Sequence, residues 1–123
     1  MTNFSDADLA KVGTAEELDL RSERGDGTLR DPVTMWVVRS GDHVYVRSVK
    51  GTAGPWYRGT LSRHQGRIDA GGVQRQVTFR RADPGEYAAV DAAYREKYGR
   101  YTSIVEHVLT DLARESTLRL EPR

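Results

Sequence analysis

The centre of the chain carries two glycine turns, each between segments with the residue pattern of β-strands. Gly41-Asp42 separates "PVTMWVVRS" from "HVYVRSVK", and Gly71-Gly72 separates "GRIDA" from "VQRQVTF". A glycine pair readily supplies the positive backbone angles that a two-residue hairpin turn requires. The central segment is therefore predicted to form antiparallel hairpins, which restricts the chain to a mainly β fold.

Short helices and further strands are predicted around these hairpins. Gly54-Pro55 is typical of a helix start, and Gly99 separates two helical patterns near the C-terminus. The remaining elements follow from apolar periodicity and turn residues. In chain order, the predicted elements outside the hairpins are a helix over 6–12, a strand over 17–24, a helix over 55–64, two helices within 83–113 and a strand over 116–122.

Six or so antiparallel strands in 123 residues predict a single domain, residues 1–123, built as a small closed or nearly closed barrel. The segment "TMWVV" is apolar on both faces, so its outer face must be covered by a helix or a second subunit. Together with the tyrosine series Tyr94, Tyr98 and Tyr101 along one helical face, this favours a homodimer. The tyrosines are interpreted as core, with an aromatic wall beside a ligand as the alternative.

Composition excludes several classes of chemistry. The chain has no cysteine, which rules out disulfides, thiolate nucleophiles and cysteine-ligated metals. Its three histidines show no metal-ligand spacing, so no metal site is predicted. The sequence shows neither an apolar segment of membrane length nor a secretory signal, and we expect a cytoplasmic protein without a membrane segment.

The charges are unevenly distributed along the chain. The net charge is +1, but residues 39–81 hold nine cations and two anions. A basic segment of this kind favours an anionic partner, such as nucleic acid, a phosphorylated cofactor or an acidic substrate.

Within the basic segment, polar groups cluster where the second strand of the first hairpin ends. Strand alternation places Val44, Val46, Ser48 and Lys50 on one face, and Tyr45, Arg47 and Val49 on the other. The glycine-rich stretch "GTAG" and the helix start at Pro55 follow directly. Backbone N–H groups, Lys50 and Arg47 together predict a phosphate site. The alternative is a solvated basic loop whose glycines serve turns alone.

The predicted helix after this loop presents two different faces. Trp56, Thr60 and Arg63 share one face, which we interpret as ligand-facing. Leu61 and His64 share the other with Tyr57, which we interpret as the core face. His64 is also a candidate for a proton donor to substrate.

Several of these residues carry a resemblance to a known superfamily. They are Pro32, Gly41-Asp42, Ser48 with Lys50-Gly51, Pro55-Trp56-Tyr57, and the C-terminal "AAYREKYGRY" followed by "TLRLEP". The chain resembles the flavin- and deazaflavin-binding split β-barrel superfamily, which includes pyridoxamine-phosphate-oxidase-like and deazaflavin-dependent nitroreductase-like proteins. Within it, the chain most resembles a family of short bacterial proteins of unassigned function.

The resemblance implies an FMN-binding split β-barrel that forms a homodimer, with flanking helices and a cleft that the dimer completes. It also implies an oxidoreductase that transfers hydride to a small electron-poor substrate such as a quinone, enone or nitro compound. The cofactor would be FMN or a deazaflavin, the 8-hydroxy-5-deazaflavin coenzyme. The residues expected at the cofactor are Arg47, Ser48, Lys50, Gly51, Trp56, Tyr57, Arg58, Arg24 and Arg30.

The candidates for catalytic residues are His64 and Tyr98. Two other functions remain open. One is a cofactor-free protein that binds or transforms a small molecule without redox chemistry on the same barrel. The other is a nucleic-acid-binding module with Trp56 and Tyr57 as stacking groups, although the cations form no recognisable recognition motif.

Overall fold

Seven strands form one antiparallel sheet in the computed structural model, which describes residues 4–123. Both predicted hairpins are present, and Gly71 and Gly72 take the expected positive φ angles of 59° and 85°. The strands are β1 Leu18–Ser22, β2 Val33–Met35, β3 Val38–Ser40, β4 His43–Val46, β5 Gln65–Ala70, β6 Val73–Arg81 and β7 Leu118–Pro122. Their order across the sheet is β2-β1-β5-β6-β7-β4-β3.

The two edge strands, β2 and β3, are separated in the chain by Trp36 and Val37 alone. The sheet must therefore curl until its two edges lie side by side, which makes it a nearly closed barrel. The prediction of one continuous strand over 32–40 is wrong, because the backbone leaves the ladder at these two residues. Val37 N–H donates instead to the Tyr98 hydroxyl at 3.2 Å, and Val37 O accepts from Lys97 Nζ at 2.7 Å.

Within residues 4–123, five helices and three short 3-10 turns pack around the barrel. Ser5 caps the first helix, since its Oγ accepts a hydrogen bond from Asp8 N at 3.2 Å. The helices are α1 Asp6–Thr14, α2 Pro55–Thr60, α3 Tyr87–Tyr98, α4 Thr102–Val105 and α5 Asp111–Glu115. The 3-10 turns are Gly51–Ala53, Pro84–Glu86 and Glu106–Val108.

Two helix predictions need correction. The helix expected over 55–64 ends at Thr60, and His64 takes a φ of 55°, which an α-helix does not accommodate. The second C-terminal helix is divided into α4, a 3-10 turn and α5. Thr110 is the N-cap of α5, because its hydroxyl accepts a hydrogen bond from Ala113 N at 3.1 Å.

The core has two layers. Inside the barrel lie the apolar side chains of the strands, with Leu9 and Val12 of α1 closing one end. Outside it, α3 packs against β3 and β4, and here Tyr94 and Tyr98 are wholly buried while Tyr101 is 36% exposed. The interpretation of the first two tyrosines as core is confirmed. Helix α3, rather than a second subunit, covers the outer face at Val38.

Candidate functional site

A groove lies between β2, the end of β4, α2 and the segment from α4 to the following 3-10 turn. Two adjoining pockets of about 320 and 340 Å³ form it, and both are lined by Val33, Val49 and Trp56. Volumes of this size are typical of small-molecule sites. We call it the Trp56 groove; its lining is Val33, Thr34, Met35, Trp36, Arg47, Ser48, Val49, Lys50, Gly54, Pro55, Trp56, Ile104, His107 and Val108.

Two indole rings line the Trp56 groove, and buried tyrosines hold both of them. Trp36 stacks on Tyr98 with ring centroids 4.0 Å apart and planes 4° from parallel. Trp56 meets Tyr57 edge to face at 6.3 Å. Each indole ring therefore packs against a buried aromatic side chain. They present flat, largely apolar surface against which a conjugated ring could pack.

One end of the groove includes three of the residues predicted at the cofactor: Ser48, Lys50 and Trp56. Lys50 is exposed and opens the 3-10 turn Gly51–Ala53. The glycines of this loop have packing reasons of their own. Gly51 has a φ of 66°, and a Cβ on it would overlap Leu112, while a Cβ on Gly54 would overlap Ser48 Oγ. Positive charge at this end therefore comes from Lys50, with Arg58 exposed on α2 nearby in the chain.

Arg47 lies in a different position from the one predicted. Its side chain is fully buried, and all three guanidinium nitrogens donate hydrogen bonds within the protein. Nε donates to Thr117 Oγ1 at 2.8 Å, and the terminal nitrogens donate to Asp91 Oδ1 at 2.5 Å and to backbone oxygens of Val108 and Tyr87. Its predicted role as a surface phosphate ligand is corrected: Arg47 supports the wall of the groove from behind.

Asp91 is the centre of this buried network. Arg114 also pairs with it, at 2.9 Å. Burial alone would raise the pKa of Asp91, but hydrogen bonds from Arg114 and Arg47 hold it below its usual value. The network ties the end of β4 to α3 and α5, so it fixes the position of the groove's Val108 side.

Four other predicted site residues bond or pack within the protein and do not reach the groove. Tyr57 belongs to the barrel core. Tyr98 is wholly buried, and its hydroxyl lies 2.8 Å from Glu16 O and 3.0 Å from Val37 O. Burial raises the pKa of Tyr98 to about 12. Arg24 donates to Thr28 and Leu29 in its own turn, and Arg30 donates to Ser22, Glu23, Gly59 and Ser62. These four side chains maintain the fold, and none of them lines the groove.

The predicted faces of α2 also need correction. Thr60, assigned to the ligand face, is buried, and its hydroxyl donates to Tyr57 O at 2.6 Å. Leu61, assigned to the core, is 49% exposed. The helix ends at Thr60, so a helical face cannot be extended to Arg63 and His64. His64 is exposed, and it is not among the residues that line the groove.

Sequence reasoning missed the wall of the groove formed by Trp36, Ile104 and His107. These residues come from the β2–β3 link and from the segment after α3, which no local motif connects. The sequence carries no signal that joins them, although the structure leaves Ile104 56% exposed. In the described part of the chain, we find no cluster of three or more His, Asp or Glu side chains that could hold a metal ion. None of the helices within residues 4–123 is both long and apolar enough to span a membrane.

A family model described as "Uncharacterized protein conserved in bacteria", DUF2255, matches residues 8–120. The chain belongs to the DUF2255 family. No curated protein matches this DUF2255 chain in sequence.

Solved structures with the same fold include proteins named for flavin-type cofactors. An F420-H2 dependent reductase, FDR-A, has a TM-score of 0.65 at 14% identity, and the match covers 86% of this chain and 94% of that one. An F420 reductase has a TM-score of 0.54 at 15% identity, covering 94% and 92%. An FAD-binding protein from Mesorhizobium loti has a TM-score of 0.58 at 14% identity, covering 98% and 89%.

At identities this low, the structural similarity shows a shared fold alone. The DUF2255 chain has the split β-barrel fold of these proteins, with flanking helices. The predicted fold class is thereby confirmed, and so is the predicted resemblance to a bacterial family of unassigned function.

Proposed function

We propose that this DUF2255 protein is an oxidoreductase that binds a flavin-type cofactor, FMN or the F420 deazaflavin, in the Trp56 groove. It would transfer hydride to a small electron-poor organic acceptor. The observation that carries the proposal is the combination of two held indole rings with a lysine at one end of the groove. The likeness to F420 reductases and to an FAD-binding protein supports the class of cofactor.

The residues of the groove suit the two parts of such a cofactor. The apolar stretch from Val33 to Trp36 and Trp56 suits a tricyclic ring, from which it would exclude water. Lys50 would pair with a phosphate of the cofactor tail through a charge-assisted hydrogen bond. A bound flavin-type ring supplies the hydride chemistry, and the protein supplies binding, orientation and a site for the acceptor.

The proposal is tested by titrating the purified protein with FMN and with F420 while tryptophan fluorescence is recorded. Loss of a charge-assisted hydrogen bond costs about 1–3 kcal/mol, so Lys50→Ala should weaken binding by a factor of about 5 to 150. Arg81→Ala is the matched control, since it removes an exposed cation of the same basic segment outside the groove. It should leave the Kd unchanged.

Two outcomes of this titration would contradict the proposal. If neither FMN nor F420 binds, the result would favour the alternative of a cofactor-free protein on the same barrel. Equal losses for Lys50→Ala and Arg81→Ala, with steep salt dependence and binding to single-stranded DNA, would favour the nucleic-acid-binding module.

We also propose that a second copy of the chain completes the Trp56 groove. Four apolar side chains remain exposed along it and beside it: Val33, Val49, Ile104 and Leu112, at 37%, 51%, 56% and 51%. Clustered exposure of this kind is typical of an interface. Light scattering should report about twice the 13.8 kDa of one chain, and Ile104→Glu should reduce the mass to that of the monomer. A monomer at all concentrations would remove the partner from the site.

A further inference from the structure

His107 lies where the Trp56 groove meets a neighbouring pocket. It belongs to the 3-10 turn Glu106–Val108 and lines the pocket that contains Trp36 and Trp56. It also lines a neighbouring pocket of about 410 Å³ with Val49, Glu106, Thr110 and Leu112. The side chain is exposed, so it can contact both a ligand in the groove and water outside it.

The pocket that contains both tryptophans has two titratable side chains among its described lining residues, Arg47 and His107. Arg47 cannot release a proton, because a guanidinium stays charged in proteins and this one is held by Asp91 and Thr117. Imidazole is the side-chain group that accepts and releases protons near neutral pH. His107 is therefore the group at this pocket that is suited to general acid chemistry.

We propose that His107 donates the proton that accompanies hydride transfer to the acceptor in the Trp56 groove. The inference rests on the proposed function. Hydride, carrying two electrons from the reduced cofactor, bonds to one end of the acceptor's conjugated system. The electron pair displaced to the other end bonds to a proton released by the His107 imidazolium. The neutral imidazole then regains a proton from water.

The first test reports contact rather than activity. The chain has three histidines, so their side-chain NMR signals can be assigned and followed individually. Menadione, a quinone, is added to the protein saturated with whichever of FMN and F420 it binds. The His107 signals should shift while those of His43 and His64 stay in place. A shift at His64 alone, or none at His107, would overturn the proposal.

The second test separates proton donation from binding. His107→Ala should lower menadione reduction about 100-fold, the lower end of the range for general acid catalysis, and leave the cofactor Kd unchanged. Millimolar imidazole should restore part of the lost rate, which a purely structural role would not allow. His43→Gln is the matched control, since His43 packs edge-on against Tyr45 outside the groove and should turn over at the wild-type rate.

Failure of this inference is distinct from failure of the proposed function. Wild-type turnover by a His107→Ala protein that binds the cofactor would overturn the role of His107 alone. Absence of cofactor binding by the wild-type protein would overturn both.

Discussion

Replacing Asp91 by Asn is expected to lower the free energy of unfolding by about 3–5 kcal/mol, the range for removing one partner of a buried ion pair. Arg47 has a fully buried side chain and would keep its charge without the carboxylate that faces it. The amide that replaces the carboxylate would also turn an N–H group toward a guanidinium. Urea unfolding monitored by tryptophan fluorescence measures the change.

Asp111→Asn is the matched control for this substitution. Asp111 also pairs with Arg114, at 2.7 Å, but its side chain is 97% exposed. Its loss should change stability little, because exposed ion pairs are screened by water. Comparable losses in the two variants would show that the buried network contributes no more than a surface pair.

The Asp91 carboxyl should also make the free energy of unfolding fall as the pH is lowered. Hydrogen bonds from Arg114 and Arg47 outweigh burial and lower the pKa of Asp91 in the folded state. The unfolded chain therefore binds this proton first as the pH falls. The wild-type protein should lose the contribution of Asp91 in acid, and Asp91→Asn should lack that part of the acid dependence.

Two tyrosine substitutions on α3 should differ in their effect on the free energy of unfolding. Tyr98 and Tyr94 are both wholly buried, but the Tyr98 hydroxyl bonds to backbone groups of Val37 and Glu16. Tyr94 Oη is buried with no hydrogen-bond partner among residues 4–123. Tyr98→Phe should cost about 1–3 kcal/mol because it leaves buried backbone groups unpaired. Tyr94→Phe should be neutral or stabilising, since it removes an unpaired buried polar atom.

Thermal and urea unfolding of both variants tests this contrast. Equal destabilisation would mean that the hydroxyl of Tyr98 does not hold the link between β2 and β3. Reduction of menadione by folded Tyr98→Phe protein should match the wild type, because the hydroxyl faces the backbone of the core. A turnover defect without a loss of stability would restore Tyr98 as a catalytic candidate.

Features that depend on local chemistry could be predicted from the sequence. The Gly71-Gly72 turn needs positive φ at both positions, and Gly54-Pro55 begins α2 because proline suits the first helical turn. Hairpins joined by such turns leave few architectures for a chain of this length. The residue pattern alone therefore predicts the barrel.

Features that depend on distant partners could not be predicted. The burial of Arg47 requires Asp91 and Thr117, which lie 44 and 70 residues away in the chain. The break at Trp36–Val37 is set by Tyr98, 61 residues from Val37. A charged residue at the end of a strand looks the same in the sequence whether or not a distant carboxylate buries it. An apolar run likewise looks the same whether or not a distant hydroxyl interrupts the strand. The wall formed by Trp36, Ile104 and His107 was missed for the same reason.

Hydride transfer by the purified protein can be measured by following the absorbance of reduced F420, or of reduced FMN, without oxygen after menadione is added. With one of the two cofactors, oxidation should proceed at a rate proportional to protein concentration, continue for many turnovers and slow when Lys50 is replaced by Ala. Rates equal to those without protein, for both cofactors, would contradict the assignment of the Trp56 groove as the site of a flavin-type oxidoreductase.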